Sequence, residues 1–348
     1  MNASFNRAMS NASPSHSSTP CAGRRLVFNG KQQVALETMP IAGPKENEVV
    51  VRTAVSLMST GTENIVFNRA FDPDTHWDHW VKYPFYPGYC GVGTVEAVGG
   101  AVTAVAPGDR VAGRFTHRSH AILAESACVP IPEAIPWEEA VWFALAKIAF
   151  HGAFAADYSL GDSVLVVGAG PIGQMSVRWA NAAGAETVIA LDPVERRLAM
   201  ARSGGAAVTI ARPVAEAREA LLAENGGKLP RVVIDSTGNA EVFAAAQGLA
   251  GRFGTIVILG DTGQPTQQRL TGDVITRGLR IVGAHDGHNS ERWDNASISR
   301  LFFRLAATGR FPLDGLITHR FAPEECREAY RVANEERPLT MGILFDWR

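Results

Sequence analysis

The sequence predicts an α/β protein built from an antiparallel, barrel-like β domain followed by a doubly wound parallel sheet. From residue 25 to residue 132, short segments that alternate apolar and polar residues are separated by turns rich in glycine and proline, which is typical of small β-barrels. After residue 136, apolar runs alternate with amphipathic segments at helical spacing, which is typical of a parallel sheet covered by helices. The length of 348 residues also favours two domains.

Composition and charge exclude several classes of protein. Hydrophobic residues make up 46% and charged residues 20% of the chain, as in compact globular proteins. The formal net charge of −2 argues against a nucleic-acid surface and gives no electrostatic reason for membrane binding. No apolar run is expected to reach the roughly 18 residues that a membrane span needs. The cysteines stand apart without a CxxC pair, so we expect reduced thiols in a cytoplasmic protein: Cys21, Cys90, Cys128 and Cys326.

Two segments are predicted to lack regular structure. Residues 1–24 are rich in serine, asparagine and proline and contain no acidic residue, so we predict a flexible tail. A transit peptide has a similar composition, but this segment lacks a clear amphipathic face, and we expect no targeting function. The stretch from Thr60 to Pro87 is expected to be rich in loops. Its aromatic part suits either a binding loop or a subunit interface: Phe71, His76, Trp77, His79 and Trp80.

The strongest motif lies in the segment VLVVGAGPIGQ. It supplies Gly168, Gly170 and Gly173 in G-x-G-x-x-G spacing, with Pro171 and Ile172 between the last two. The spacing alone is a weak signal, but here it follows a buried strand and opens a helix inside a β-α-β unit. The first glycine permits a tight turn, the second lets the backbone approach a pyrophosphate, and the third lets the helix pack on the sheet. The helix N-terminus adds free N–H groups for phosphates. We therefore predict a Rossmann domain that binds a dinucleotide.

Asp192 ends the second strand of this unit and predicts the choice of cofactor. A carboxylate there accepts hydrogen bonds from the adenosine ribose and repels the extra phosphate of NADP, so we expect NAD. Arg197, on the next helix together with Arg196, is a further candidate for cofactor binding. A solvated helix face is the simpler interpretation of both arginines. Three more candidates follow later strands, where open α/β sheets bind ligands: Thr237, Gly260 and Asp261.

Several segments together resemble the medium-chain dehydrogenase/reductase (alcohol dehydrogenase-like) superfamily. They are STGTE, YPFYPGYCGVGTVEAVG, PGDRV, the glycine motif and LDGLITHRF, and the resemblance runs from Arg25 to Trp347. It implies a GroES-like β-barrel catalytic domain over residues 25–151, a Rossmann NAD-binding domain over residues 152–291 and a return of residues 292–348 to the catalytic domain. It also implies that nicotinamide and substrate lie in the cleft between the two domains.

The zinc ligands of that family are replaced here. Zinc-dependent members carry a Cys before G-T-D/E and a His-Glu pair after P-G, whereas the matching positions are Thr60, Tyr89 and Cys90. Near the next expected ligand, FALAK offers no Cys, His, Asp or Glu, and the four-cysteine lobe of structural zinc is missing. Because zinc needs three or four converging ligands, we expect a zinc-free member. Three histidine pairs are expected at the surface or in the cleft without metal: His76/His79, His117/His120 and His285/His288.

Without zinc, another group must manage the charge on the substrate oxygen. Lys147 interrupts an apolar helical run near the family's last zinc-ligand position, where it either serves the reaction or snorkels to water. Tyr89 stands where the family has a zinc-binding His, and either faces the pocket or fills space. Thr62 matches the hydroxyl residue that relays protons in relatives. Glu63 is expected to position that relay or to pair with Lys147, and His120 is a weaker candidate.

These observations favour hydride transfer between NAD(H) and a secondary alcohol or ketone, such as a polyol, a sugar derivative or another hydroxylated metabolite. Short shared pieces also give a distant similarity to the 3-hydroxyethyl bacteriochlorophyllide dehydrogenases. An NAD(P)H-dependent enone or quinone reductase and a non-catalytic nucleotide-binding redox sensor remain alternatives. We expect a homo-oligomer, dimer or tetramer, that binds a small-molecule substrate and neither nucleic acid nor membrane.

Overall fold

The computed structural model describes residues 22–348 and contains the two predicted kinds of sheet. The first is a seven-stranded sheet with the order β14-β15-β3-β4-β5-β7, in which β6 also pairs with β3. Its strands are β3 (Glu48–Leu57), β4 (Gly91–Val98), β5 (Arg110–Gly113), β6 (His120–Ala124), β7 (Val129–Pro130), β14 (Ile317–Phe321) and β15 (Gly342–Asp346). A separate hairpin is formed by β1 (Ala22–Gly30) and β2 (Gln33–Pro40).

Strand β3 is the centre of this first sheet. Its sequence EVVVRTAVSL is rich in β-branched residues, which pack well on a pleated surface, and Arg52 is its one exposed residue. Strands β4, β6 and β15 all pair with it in antiparallel register. Because β15 lies near the C-terminus, the chain returns to the first sheet after the second one. The predicted domain boundaries at residues 25, 151 and 291 themselves stay predictions.

The second sheet is fully parallel, with the order β10-β9-β8-β11-β12-β13. Its strands are β8 (Ser163–Val167), β9 (Thr187–Leu191), β10 (Val208–Ile210), β11 (Val232–Asp235), β12 (Thr255–Ile258) and β13 (Arg280–Gly283). The chain moves outward from β8 to β10 and then crosses to the other side of β8 at β11. This reversal opens a crevice at the carboxyl ends of β8 and β11, where doubly wound sheets bind ligands. The predicted doubly wound fold is confirmed.

Eleven α-helices connect and cover the sheets in the described residues. They are α1 (Thr60–Asn68), α2 (His76–Trp80), α3 (Trp137–Ala140), α4 (Phe143–Ala156), α5 (Pro171–Ala182), α6 (Glu195–Ser203), α7 (Arg218–Glu224), α8 (Ala240–Gln247), α9 (Asp273–Arg277), α10 (Asn295–Ala307) and α11 (Cys326–Glu335). Helix α4 packs against α5, α10 and strands of the parallel sheet, so it lies where the two parts of the molecule meet.

The segment that contains α3 and α4, residues 137–156, is long and apolar enough to cross a membrane. The expectation that no apolar run reaches that length is therefore wrong. Most of the segment is buried inside the protein, and its side chains belong to the core shared with α5 and α10. A core helix of a globular protein has these same properties.

Two further expectations are corrected in part at the start of the chain. The predicted tail lies outside the described residues except at its end, where residues 22–24 already form β1. The stretch from Thr60 to Pro87 is loop over about half of its length, and α1 and α2 form the other half. Helix α1 forms because Val66 and Phe67 bury against the aromatic core around Tyr330. The high content of Gly, Pro and aromatic residues in this stretch obscured that apolar face.

Candidate active site

The three glycines of the fingerprint occupy backbone positions that require glycine or leave room for a ligand. Gly168 has a φ of +84°, a left-handed value that favours glycine. A Cβ atom on Gly173 would lie 1.8 Å from the carbonyl oxygen of Gly168, so no side chain fits between helix and turn. A Cβ atom on Gly170 would meet nothing within 4 Å. The open space is therefore at the glycine expected to face a pyrophosphate.

The N-terminus of α5 opens onto this space. Gly170 is its N-cap residue, Pro171 is its first residue and no side chain caps it. The first N–H groups, among them that of Ile172, therefore have no partner within the helix. Behind the turn, the buried Gln174 donates from Nε2 to the carbonyl oxygens of Ala169, at 2.9 Å, and Arg197, at 2.8 Å. A preorganised turn with free N–H groups fits a dinucleotide phosphate.

Asp192 lies beside the same turn and is already bonded to it. Its two carboxylate oxygens accept hydrogen bonds from the backbone N–H groups of Ala169 and Val194, each at 2.8 Å. Arg197 approaches the carboxylate at 3.7 Å and also donates to the carbonyl of Arg337. Its Nε is buried without a partner among the described residues. The solvated helix face preferred for the two arginines is therefore wrong for Arg197, which turns back toward Asp192.

The other expected cofactor residues lie at the same edge of the sheet. Thr237 donates to Asp235 at 2.6 Å and packs against Gly168, where its methyl group would contact a Cβ atom at 2.6 Å. A Cβ atom on Gly260 would lie 2.3 Å from the backbone nitrogen of Gly238. The structure thus brings both residues to the crevice between β8 and β11. Their contact with a cofactor stays a prediction.

Asp261 bonds instead to the aromatic segment of the first part of the chain. Its carboxylate lies 3.0 Å from His76 Nε2, and nearby Asp72 contacts Gly263 and Thr266 of the same loop. The segment therefore bridges the two parts of the molecule. Within it Trp77 is buried, whereas Trp80 is half exposed.

The phenol of Tyr89 lies among other hydroxyl groups. Its oxygen is 2.5 Å from Ser59 Oγ, and the hydroxyl of Thr62 lies nearby. The guanidinium of Arg114 lies 4.8 Å from the centre of the ring. Burial raises the pKa of Tyr89 above its ordinary value, so the phenol keeps its proton and can donate a hydrogen bond. Tyr89 is nevertheless not fully enclosed by protein, and its orientation toward the cleft stays a prediction.

Lys147 is buried and paired, so the snorkelling alternative is wrong. Its ammonium donates to the carbonyl oxygen of Asp286 at 2.7 Å and lies 3.1 Å from the carboxylate of the same residue. Arg114 meets that carboxylate from the other side, with Nη2 2.8 Å from Oδ2. Arg114 and Asp286 were both missed from the sequence. The expected pairing of Lys147 with Glu63 is also wrong, because Asp286 takes that place.

Glu63 is buried and forms hydrogen bonds with groups in the protein interior. Its carboxylate accepts hydrogen bonds from the backbone N–H of Ser59 at 2.8 Å, from His117 Nε2 at 3.1 Å and from the Tyr330 hydroxyl. The other nitrogen of His117 lies 2.7 Å from Ser56 Oγ. His117 is fully buried, so its expected position at the surface or in the cleft is wrong. This network holds Ser59 next to Tyr89, as the expected positioning role of Glu63 requires.

Three further histidines lie in different environments. His120 lies on β6 beside Glu96 at 3.3 Å, and burial lowers its pKa. His79 is exposed. His151, which the sequence analysis missed, is 3% exposed, and its Nε2 has no partner among the described residues. It lies one helical turn after Lys147, and burial and the nearby Lys147 lower its pKa to about 4, so the ring is neutral at pH 7.

The donor atoms at the family's zinc positions do not suit zinc. Thr60 and Tyr89 offer hydroxyl groups, and Cys90 is fully buried, with burial raising the pKa of its thiol. Residues 22–348 contain no group of three or more His, Cys, Asp or Glu side chains placed to hold a metal ion. A structural or catalytic zinc needs at least three such ligands.

Family models and relatives match most of the chain. Residues 45–156 match the model described as alcohol dehydrogenase GroES-like domain, and residues 171–301 match the model described as zinc-binding dehydrogenase. An L-threonine 3-dehydrogenase from Symbiobacterium thermophilum is 32% identical over 82% of this chain and 87% of that protein.

Solved structures support the same fold. A protein from Sinorhizobium meliloti 1021, described as a zinc-binding dehydrogenase and bound to NADP, has a TM-score of 0.77 and 21% identity over 93% of this chain and 99% of that one. One from Escherichia coli CFT073, described as a short chain alcohol dehydrogenase and complexed with NADH, has a TM-score of 0.78 and 21% identity, again over 93% and 99% of the two chains.

The packing of Gly173 against Gly168 predicts a binding defect. Gly173→Ala places a methyl group against a backbone oxygen, which must displace the turn that faces the phosphates. We expect the Kd for NADH to rise by at least about 10-fold, since a displaced turn loses more than one phosphate hydrogen bond. Titration by NADH fluorescence measures this. Gly272→Ala is the control, because open space surrounds that position. Equal NADH affinity in wild type and Gly173→Ala would contradict the assignment.

Proposed function

Since this chain belongs to the medium-chain dehydrogenase/reductase superfamily and is an alcohol dehydrogenase-like oxidoreductase, we propose that it transfers a hydride between NAD(H) and a secondary alcohol or ketone without zinc. The observation that carries the proposal is the cluster of hydroxyl groups of Tyr89, Ser59 and Thr62, in which Tyr89 stands at a zinc-ligand position of the family. A nicotinamide, when bound, accepts or supplies the hydride. The protein must then orient the hydroxyl-bearing carbon and manage the proton and charge on its oxygen.

Tyr89 is the hydrogen-bond donor to the substrate oxygen in this proposal. Its phenol keeps its proton because burial raises its pKa, and Ser59 Oγ holds the oxygen in place at 2.5 Å. Thr62 is partly exposed beside it and provides a path for a proton between the cleft and water. Glu63, the next residue in the chain after Thr62, holds Ser59 in place by accepting a hydrogen bond from the backbone N–H of Ser59.

Lys147 contributes positive charge to the same cleft. Two of its three N–H groups are used by the carbonyl and carboxylate oxygens of Asp286, so one donor remains. Its charge is partly balanced by Asp286, which it shares with Arg114. We therefore assign the direct hydrogen bond to Tyr89 and a supporting electrostatic role to Lys147.

Zinc independence is part of the proposal and rests on donor chemistry. Hydroxyl, phenol and a buried thiol with a raised pKa stand at the ligand positions, and zinc prefers thiolate, imidazole and carboxylate ligands. The descriptions of the matching family and of one structural neighbour name zinc, so elemental analysis of this protein is the direct test.

The preference for NAD over NADP is also a proposal. Asp192 supplies a buried negative charge at the ribose position, which disfavours a 2′-phosphate. The nearby Arg197 offsets that charge in part. The neighbours with NADP and with NADH share only the fold with this chain and leave the choice open.

The substrate, the oligomeric state and the location of the protein are also proposals. The distant similarity to the 3-hydroxyethyl bacteriochlorophyllide dehydrogenases implies a substrate whose hydroxyl group lies beside a tetrapyrrole. The relative reported above does not support such a substrate, because its name gives an amino acid as substrate. We therefore propose a small hydroxylated metabolite as the substrate. A homo-oligomer and a cytoplasmic location remain parts of the proposal, to be tested with the purified protein and in cells.

The role of Tyr89 predicts the result of a minimal substitution. Tyr89→Phe removes only the hydroxyl, and loss of a preorganised donor to a developing oxyanion typically lowers turnover by about 10²–10³. NADH affinity should stay within about 2-fold of wild type, because the phenol lies outside the phosphate turn. The measurement is kcat on a panel of secondary alcohols and ketones.

Tyr158→Phe is the matched control, because that hydroxyl has no hydrogen-bond partner in the described residues.

Thr62→Val should also be slower, through a broken proton path. Full turnover in Tyr89→Phe would show that another group acts on the substrate oxygen.

Zinc independence predicts the metal content and the response to chelators. Purified protein should contain well under one zinc per chain, and incubation with EDTA should leave turnover unchanged. Emission spectroscopy of the dialysed protein gives the stoichiometry. Stoichiometric zinc that is lost together with activity would refute this part of the proposal.

The charge of Asp192 predicts the cofactor preference. The wild-type protein should bind NADH more tightly than NADPH, and Asp192→Asn should narrow the difference because it removes the charge and keeps an acceptor. Parallel fluorescence titrations with both cofactors measure the ratio. A native preference for NADPH, or an unchanged ratio in Asp192→Asn, would count against it.

A further inference from the structure

The charges of the groups beside Tyr89 do not sum to zero. Arg114, just after β5, and Lys147, on α4, share the single carboxylate of Asp286, on the loop after β13. Two cations and one anion leave a net charge of +1. The phenol of Tyr89 and the thiol of Cys90 add no negative charge, because burial raises the pKa of both groups.

The nearest second carboxylate does not neutralise this excess in the cleft. Glu63 is 2% exposed, and its oxygens already accept three hydrogen bonds, from Ser59, His117 and Tyr330. Glu63 is thus enclosed by protein, whereas Arg114 is 27% exposed. An anion that enters the cleft therefore meets the positive group first.

Arg114 has donors to spare for such an anion. Its two terminal nitrogens face the carboxylate of Asp286, with Nη1 3.1 Å from Oδ1 and Nη2 2.8 Å from Oδ2. The edge formed by Nε and the outer side of Nη2 makes no hydrogen bond with the residues that the structure describes. The side chain is 27% exposed and lies over the ring of Tyr89. A free guanidinium edge is the shape that binds a carboxylate or a phosphate through two parallel hydrogen bonds.

A second observation concerns a buried polar group near Lys147 and Asp286. His151 lies on the same face of α4 as Lys147, one turn along, and is near Asp286, His285 and His288. Its Nε2 is buried without a protein partner among residues 22–348, and such an atom is costly unless something bonds to it. A neutral imidazole can bond to a polar group of a bound molecule in either direction.

We propose that the substrate carries an anionic group, a carboxylate or a phosphate ester, which binds the free edge of Arg114 beside Lys147 while the hydroxyl-bearing carbon faces Tyr89. The proposal rests on the proposed hydride transfer for the identity of the neighbouring site. The anionic group must lie within a few bonds of that carbon, since Arg114 contacts the ring of the same tyrosine. His151 is a positioning residue for the remaining polar part of the molecule.

A purely structural role for the Arg114–Asp286 pair is the alternative. In that case the pair only ties the barrel to the parallel sheet, and losing either partner should harm stability and all substrates alike. The anion site makes a different prediction for the two partners. Removing the charge of Arg114 should weaken anion binding, whereas removing the charge of Asp286 should strengthen it, because Asp286 competes for the same cation.

The test compares matched pairs of compounds that differ only in the anionic group. Suitable pairs are 3-hydroxybutyrate with 3-hydroxybutyramide, and sorbitol 6-phosphate with sorbitol. Turnover with NAD and calorimetric binding in the presence of NADH are measured for wild type, Arg114→Gln and Asp286→Asn. Arg320→Gln is the control, since Arg320, on β14, pairs with Glu138 of α3 and Asp346 of β15 and with none of the groups beside Tyr89.

We expect the anionic member of at least one pair to bind the wild type at least about 10-fold more tightly. Arg114→Gln should lose about 10–100-fold in affinity and kcat/KM for that member, the range expected for charge-assisted hydrogen bonds, and under about 3-fold for the neutral one. Asp286→Asn should bind the anion several-fold more tightly. The pair that responds shows whether the group is a carboxylate or a phosphate.

Two results overturn the proposal: equal binding of anionic and neutral members by the wild type, or equal losses for both members in Arg114→Gln. Turnover of the neutral compounds without any preference for charge would refute the anion site and leave the proposed function intact. Preferential binding of the anion without turnover of any compound would refute the proposed function and support the anion site.

Discussion

The carboxylate of Asp286 is the contact on which the geometry of the cleft depends. Asp286 follows β13, the last parallel strand. Its carboxylate forms ion pairs with the buried ammonium of Lys147, on helix α4, and with the guanidinium of Arg114, from the barrel. The three groups come from three different parts of the fold. Of the three groups only the ammonium of Lys147 is buried, and Asp286 is its charged partner. Arg114 also lies over the ring of Tyr89, so the bridge brings a positive charge close to the phenol.

A second polar network supports the phenol from the barrel side. The carboxylate of Glu63 forms hydrogen bonds with the backbone of Ser59, the ring of His117 and the hydroxyl of Tyr330, all in the protein interior. Ser59 then holds Tyr89 by its side chain. The two networks meet at one aromatic ring, so a hydroxyl group can take a fixed position without a metal ion. Preorganisation of this kind is what makes a neutral donor effective toward a developing negative charge.

Local patterns predicted the parts of the molecule that depend on local physics. The apolar runs predicted the parallel strands, and the spacing of Gly168, Gly170 and Gly173 predicted a turn that the structure packs without room for side chains. The cost of burying a lysine marked Lys147 as either functional or snorkelling, and its partner Asp286 lies 139 residues away, beyond the reach of a local pattern. Arg114 and His151 carry no local signal, because their meaning depends on groups that only the tertiary fold brings together. One signal was available for Asp286, since it follows a strand of the parallel sheet at the edge where ligands bind.

Isotope transfer tests the central claim most directly, namely that this cleft moves a hydride between a secondary alcohol and nicotinamide without zinc. The protein, freed of metals and kept in metal-free buffer, is incubated with NAD and a secondary alcohol that carries deuterium on its hydroxyl-bearing carbon. NMR of the recovered cofactor then locates the label. The account predicts one deuterium at C4 of the reduced nicotinamide. Reduced cofactor without label, or transfer that occurs only after zinc is added, would contradict it.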